Sequence, residues 1–321
     1  MKTLRKTRVV VIGTGFVGST YAYTLLGARL VDEIVLIDAN RERAEGEAMD
    51  LNHAMAFSPP MRIWAGDYDD CRDSDVVLLT AGAAQRPGET RLDLLTRNAA
   101  ILRGICTKVM ESGFAGIFVV ASNPVDVMAY VVWKCSELPP QRIIGSGTLL
   151  DTARFRFLLG EYFDVDARNV HANIIGEHGD TELAVWSHAD ISGVPVTDLA
   201  ERDPRYSRAD LEHVFADVRD AAYRIIERKG ATYYGIGMGL LRLTQAVVRN
   251  ENAILTVSAY LDGQYGQRDV FIGVPAVVNR DGIREVLELE LSPDERRDFA
   301  HSAEVLREAV GQVIPETAGA R

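Results

Sequence analysis

The chain has 321 residues, 47% of them hydrophobic and 25% charged, which gives room for about two domains and argues against a disordered chain, with only Pro315 to Arg321 expected to be a loose tail. Its 35 Lys and Arg against 46 Asp and Glu leave a net charge of −11, so the basic footprint of a nucleic-acid binder is missing. Anionic ligands must be met by a few placed arginines. The cysteines Cys71, Cys106 and Cys135 are too scattered for a disulfide framework or a Cys-x-x-Cys metal site.

Lys2, Arg5, Lys6 and Arg8 precede only a short apolar stretch, Val9-Val10-Val11-Ile12, before Gly13, so no export signal is read and a cytoplasmic location is expected. No apolar stretch approaches the roughly 18 residues of a membrane span. Short β-rich runs at 8–12, 34–37, 61–64, 76–80, 117–121 and 142–144 alternate with helix-compatible segments at 16–28, 41–56, 91–112 and 125–136. This rhythm predicts an α/β fold, a doubly wound (Rossmann) sheet of about six parallel strands. Runs such as Val76-Val77-Leu78-Leu79 lack alternation, as strands buried on both faces do. After Gly145-Ser146-Gly147 the texture changes to helices at 149–162, 208–229 and 231–249, mixed with strands near 169–175, 253–260 and 269–279. A boundary is expected near 145, with an α+β domain over 146–321.

Gly13-Thr14-Gly15-Phe16-Val17-Gly18 follows the first strand directly and opens a helix. Gly13 permits the tight turn, Gly15 lets backbone amides approach a pyrophosphate, and Gly18 lets helix and strand pack closely. The next strand ends at Asp38, 20 residues beyond Gly18, where a carboxylate accepts from ribose hydroxyls and repels a 2′-phosphate. NAD is the expected cofactor of residues 1–145. Arg41 and Arg43 lie close by.

A Pro-Gly segment after the fourth strand, Ala81 to Arg91, carries Arg86 and Arg91; it is either a solvated loop or a closing one, with Arg91 placed to polarise a substrate oxygen. Asn123, before Pro124, either marks a turn or hydrogen-bonds nicotinamide or substrate. In the helix from 149, Asp151 and Arg154 share a face among Leu and Phe residues. They form an ordinary ion pair, or Arg154 offers its fork to a carboxylate. Of six histidines, His178 ends an apolar strand between glycines, in Gly176-Glu177-His178-Gly179, and is the candidate base, with Asp151 to orient it. No His or Cys spacing suits zinc, and no Gly-x-Ser-x-Gly elbow exists.

A dinucleotide, a His-Asp pair and a carboxylate clamp describe oxidation of a 2-hydroxy acid. On these residues the sequence resembles the lactate and malate dehydrogenase family from Val9 to about Gln312. The resemblance implies His178 as proton acceptor and donor, Asp151 as its partner, Arg154 as carboxylate clamp and Arg91 as the residue polarising the carbonyl. It implies that Val17, Asp38, Arg43, Tyr68, Gly82, Ala83, Asn123 and Ser146 line the cofactor path. Neutral Gln85, where malate enzymes carry arginine, and Thr232 match the lactate type, implying L-lactate and pyruvate as substrates. Arg156 and His171 match the fructose 1,6-bisphosphate site of bacterial allosteric members, implying that effector and a homotetramer. One departure is Ala184, where relatives often carry proline. Competing readings are a malate or other 2-hydroxy-acid dehydrogenase, and a non-catalytic NAD-binding protein; the latter has no use for Arg91, Asp151, Arg154 and His178 together.

Overall fold

The computed structural model describes residues 6–83 and 90–314. Its first half runs β1 (Arg8–Ile12), α1 (Phe16–Ala28), β2 (Glu33–Ile37), α2 (Arg41–Ala54), β3 (Arg62–Ala65), β4 (Val76–Leu79), α3 (Arg91–Glu111), β5 (Ile117–Val120), α4 (Val125–Ser136) and β6 (Ile143–Gly145). The six strands pair in parallel in the order β3-β2-β1-β4-β5-β6. Every residue of β4 and β5 is buried, because helices cover both faces, and this explains their unbroken aliphatic runs. The strand order reverses between β1 and β4, which opens a crevice at their carboxyl ends.

The second half comprises α5 (Leu149–Phe163), β7 (Val170–His171), β8 (Ile174–Ile175), β9 (Leu183–Ala184), β10 (Asp190–Ile191), β11 (Val194–Pro195), α6 (Val196–Arg202), α7 (Arg208–Lys229), α8 (Tyr234–Val248), β12 (Ala253–Asp262), β13 (Arg268–Asn279), β14 (Gly282–Val286) and α9 (Pro293–Val313). The single strand expected at 169–175 is two short ones: β7 pairs with β10, and β8 with β9. The helix expected from 231 starts at Tyr234, because Gly230 ends α7 at φ 85° and Thr232 sits in the connecting turn. β14 and α9 add to the expected elements.

Strands β12 to β14 extend the parallel sheet by antiparallel pairing, with Ser258 of β12 beside Gly145 of β6, so nine strands form one sheet. Gly145 is required there, since a Cβ would lie 2.5 Å from that of Ser258. A buried hydrogen bond of 2.6 Å joins Tyr21 of α1 to Thr244 of α8, a second tie between the halves. Phe155, Leu159, Val170, Ile174 and Val218 form a separate apolar cluster that seats α5 and α7 together. Among the described residues no helix is long and apolar enough to cross a membrane.

Candidate active site

At the carboxyl end of β1, Gly13 adopts φ 103°, and a Cβ on it would lie 2.6 Å from the Ala81 amide nitrogen, so only glycine fits. Helix α1 starts at Gly15 with no side-chain cap, and the space a Cβ of Gly15 would enter is empty to 4 Å. Uncapped amides thus face open space at the positive end of a helix dipole. Asp38, past the end of β2, accepts from Thr14 N (2.7 Å), Thr14 Oγ1 (3.0 Å) and Asn40 N (2.9 Å). Burial alone would raise its pKa, but these bonds and Arg43 hold it below the usual carboxylate value. An anion-binding helix terminus followed by a fixed carboxylate fits the pyrophosphate and ribose of NAD. Val17 and Arg43 lie in the first turns of α1 and α2, and Tyr68 is half-buried in the turn after β3. Gly82 and Ala83 follow β4, while the Ser146 amide donates to Val120 O at 2.8 Å.

A cleft of about 930 Å³ continues from this crevice, and Gly82, Ala83, Asn123, Asp151, Arg154 and His178 all line it. Asp151, in the first turn of α5, is 3% exposed. Its Oδ2 lies 2.6 Å from His178 Nδ1, and its Oδ1 accepts from Arg154 Nη1 at 2.9 Å. Burial favours the neutral acid, yet the two adjacent cations outweigh it and lower the Asp151 pKa. For His178 burial favours neutral imidazole, but Asp151 wins and raises it from 6.5 to about 9. His178 Nε2 has no protein partner among the described residues. Asp151 therefore divides its oxygens between a proton carrier and a guanidinium that still has unused donors.

Three supports of this arrangement escaped the sequence reading. The His178 amide donates to Asp126 Oδ2 of α4 at 2.9 Å, and the Glu177 amide to Ser302 Oγ of α9 at 2.7 Å, which fixes the turn between β8 and β9. Asn98, 5% exposed on α3, accepts from Ala83 N at 2.9 Å and donates to Asn123 O at 3.3 Å, tying both cofactor-side segments together. Glu182, 7% exposed, lines the cleft beside His178. Tyr223 and Ile226 of α7 supply an apolar wall that faces Leu94 and Leu95 of α3 across the cleft. Tyr223 and Ile226 are four and three residues apart from Arg219 and Tyr223 respectively, helical spacing that marked one face of α7 without saying what it faced.

Not every expected residue comes to this cleft. Gln85 lies outside the described residues, as does the side chain of Arg91, whose backbone opens α3. Thr232 is half-buried in its turn and does not line the cleft. Arg156 points away from it, as its two-residue offset from Arg154 predicts, but it is not idle: Nε donates to Ala172 O (2.8 Å) and Nη2 to Asn173 Oδ1 (3.2 Å). This places it next to exposed His171 on β7. A second cleft of about 700 Å³ opens at the amino ends of β1, β4 and β5, the end of a doubly wound sheet where ligands do not bind.

Family models agree with this architecture. The lactate/malate dehydrogenase NAD binding domain matches residues 7–145, and the lactate/malate dehydrogenase alpha/beta C-terminal domain matches residues 148–317. The chain belongs to the lactate/malate dehydrogenase family. It is 64% identical over 308 residues to the L-lactate dehydrogenase of Geobacillus thermodenitrificans, covering 96% of this chain and 97% of that protein. Identity to the Bacillus caldolyticus L-lactate dehydrogenase is 63% over 313 residues, 97% of this chain and 99% of that one. The minor L-lactate dehydrogenase of Enterococcus mundtii, in a ligands-bound crystal structure, superposes with a TM-score of 0.95 at 48% identity, over 97% of this chain and 100% of that one. The activity is accordingly that of an NAD-dependent L-lactate dehydrogenase.

Proposed function

We propose that the cleft interconverts L-lactate and pyruvate with His178 as proton carrier, Asp151 as its orienting carboxylate, Arg154 as carboxylate clamp and Arg91 as the polariser of the carbonyl. The observation that carries this reading is the chain Arg154–Asp151–His178, with bonds of 2.9 and 2.6 Å, at the wall of a cleft continuous with the dinucleotide crevice. NAD, when bound, accepts hydride from the substrate carbon or returns it as NADH. His178 Nε2 takes the hydroxyl proton in oxidation and gives it back in reduction, while Asp151 holds Nδ1 and stabilises the imidazolium. With its pKa near 9, His178 carries its proton at neutral pH, so the resting site is charged to protonate pyruvate and to attract its carboxylate. Arg154 has donors left after bonding Asp151, which suits a two-bond grip on that carboxylate. Asn123 lines the same cleft, which supports its role in bonding nicotinamide or substrate, and the Asp38 carboxylate supports NAD over its 2′-phosphorylated form.

Neutral Gln85, with Thr232, supports pyruvate over a dicarboxylate, whose second charge would enter the site without a counter-ion. Fructose 1,6-bisphosphate is proposed as an effector held by Arg156 and His171 across an interface of a cytoplasmic homotetramer. Its support is the placement of Arg156 against the strand that carries His171. The division into a cofactor domain to residue 145 and a substrate domain from 146 is part of the same reading.

The test is NADH consumption with pyruvate and with oxaloacetate, each with and without the bisphosphate, alongside sedimentation. Pyruvate is expected to win by a large factor, and the bisphosphate to lower its KM and favour the tetramer together, more strongly at pH 6 than at pH 8. Substituting Arg156 and His171 should abolish the response but leave saturated turnover. His178→Asn should cost roughly 100-fold or more in turnover while NADH still binds. Better turnover of oxaloacetate, or a His178→Asn variant of full activity, would overturn the corresponding assignment.

A further inference from the structure

Glu182 stands just before β9, at the end of the turn that carries His178. A carboxyl group so placed is unusual in three ways. It is 7% exposed, its Oε1 has no hydrogen-bond partner, and one donor atom each of Asp151, His178 and Glu182 lie within 4.8 Å of one another. Arg154 gives its hydrogen bond to Asp151. Glu182 interacts with Asp151 and Arg154 on α5, His178 on its own turn and Arg219 on α7; Glu177, Asp180 and Asp220 line the same cleft, and Asp126 on α4 lies behind His178. Carboxylates outnumber cations in this group, and among the described residues none of the cations forms an ion pair with Glu182.

We infer that Glu182 carries a proton in the substrate-competent enzyme and sets the charge of the cleft, so that its ionisation blocks capture of the anionic 2-oxo acid. The argument is electrostatic. A buried carboxylate with an unpartnered oxygen, beside ionised Asp151, is disfavoured by desolvation and by like charge alike. The neutral acid removes both costs and can donate into the cleft. Burial, then Asp151, push Glu182 up to about 8, against the opposing pull of His178, Arg154 and Arg219. Glu182 and His178 therefore both lose their protons above neutral pH and titrate as a coupled system. Loss of the Glu182 proton places a second anion beside the position that receives the substrate carboxylate.

This inference rests on His178 being the proton carrier, and the experiment separates the two. Rates are measured by pH jump from neutral enzyme, with pyruvate and NADH. In the native enzyme kcat/KM for pyruvate should fall about 100-fold per pH unit well above pH 9, since two protons are lost. In Glu182→Gln, whose amide matches the neutral acid in shape and charge, it should fall only about tenfold per unit. Infrared difference spectra should show a protonated carboxyl band in the native enzyme at pH 7 that disappears by pH 10 and is absent from Glu182→Gln. A native slope of one proton, an unchanged slope in the variant, or no such band at pH 7 overturns the proposal. Failure of the His178 assignment would instead leave the band in place while His178→Asn retains turnover.

Discussion

Replacing Asp151 by asparagine removes the charge that keeps His178 protonated, and the structure allows the effect to be sized. His178 lies at about 9 rather than 6.5, a rise worth about 3 kcal/mol in favour of imidazolium. Asp151 is the main cause of that rise and burial opposes it, so with Asp151 neutral the imidazole should fall back to about the ordinary 6.5. At pH 7.5 nearly all native molecules carry the proton needed to reduce pyruvate. In Asp151→Asn about one in ten or fewer would, by the Henderson relation with a pKa at or under 6.5. The His178 break in the alkaline limb of kcat/KM for pyruvate, read in the Glu182→Gln background, should thus move down by about two pH units or more, and the acid limb for lactate oxidation should move with it. A further loss in kcat is expected in both directions, since an amide no longer fixes the ring tautomer. Steady-state profiles from pH 5.5 to 10 read both limbs, with NADH affinity as the control for an intact crevice. An alkaline limb that stays near 9 in the variant would refute the claim that Asp151 sets the charge of His178.

Arg154→Lys should raise the pyruvate KM by about 10- to 100-fold, the worth of one charge-assisted hydrogen bond, with a smaller change in kcat. Gln85→Arg should turn the preference toward oxaloacetate by about 100-fold or more, as read by the ratio of kcat/KM values, because a buried carboxylate then gains its counter-ion. Thr244→Val leaves the buried Tyr21 hydroxyl without its 2.6 Å partner and should cost about 1–3 kcal/mol in denaturant unfolding, with turnover at 25 °C preserved. Adding Tyr21→Phe to it should recover most of that loss, since no polar group is then left unpaired.

Much of the first half was legible because its signals are local. Continuous aliphatic runs marked β1, β4 and β5 to within a residue, and glycines at fixed offsets marked the crevice. His178, Asp151 and Arg154 were readable for a related reason, as polar residues set into apolar sequence. Asn98, Asp126 and Glu182 were not, because their partners lie far away in the sequence and nothing in their own neighbourhoods marks them. Glu182 shares its cleft with residues of α5 and α7, a proximity that only the folded chain defines. The divided strand at 169–175 was hidden likewise, since two-residue strands carry no periodicity. Helix α9 had a usable signal: Ser292 and Glu295 form a capping box with Pro293 at the first helical position, ahead of an amphipathic run. Its Ser302 then holds the histidine turn, so the omission hid a support of the site as well.

The continuous sheet bears on how such a chain could be recombined with a relative. Strand β6 is interior, with β5 on one side and β12 on the other, so a crossover near residue 145 cuts between hydrogen-bonded neighbours. A donated first half would have to present glycine at 145 to a foreign Ser258, across a gap that admits no side chain. It would also need a hydroxyl opposite Thr244. Half-for-half exchange therefore preserves the fold only between parents that share both contacts, and a first half expressed alone would leave β6 as a bare edge open to pairing with other copies.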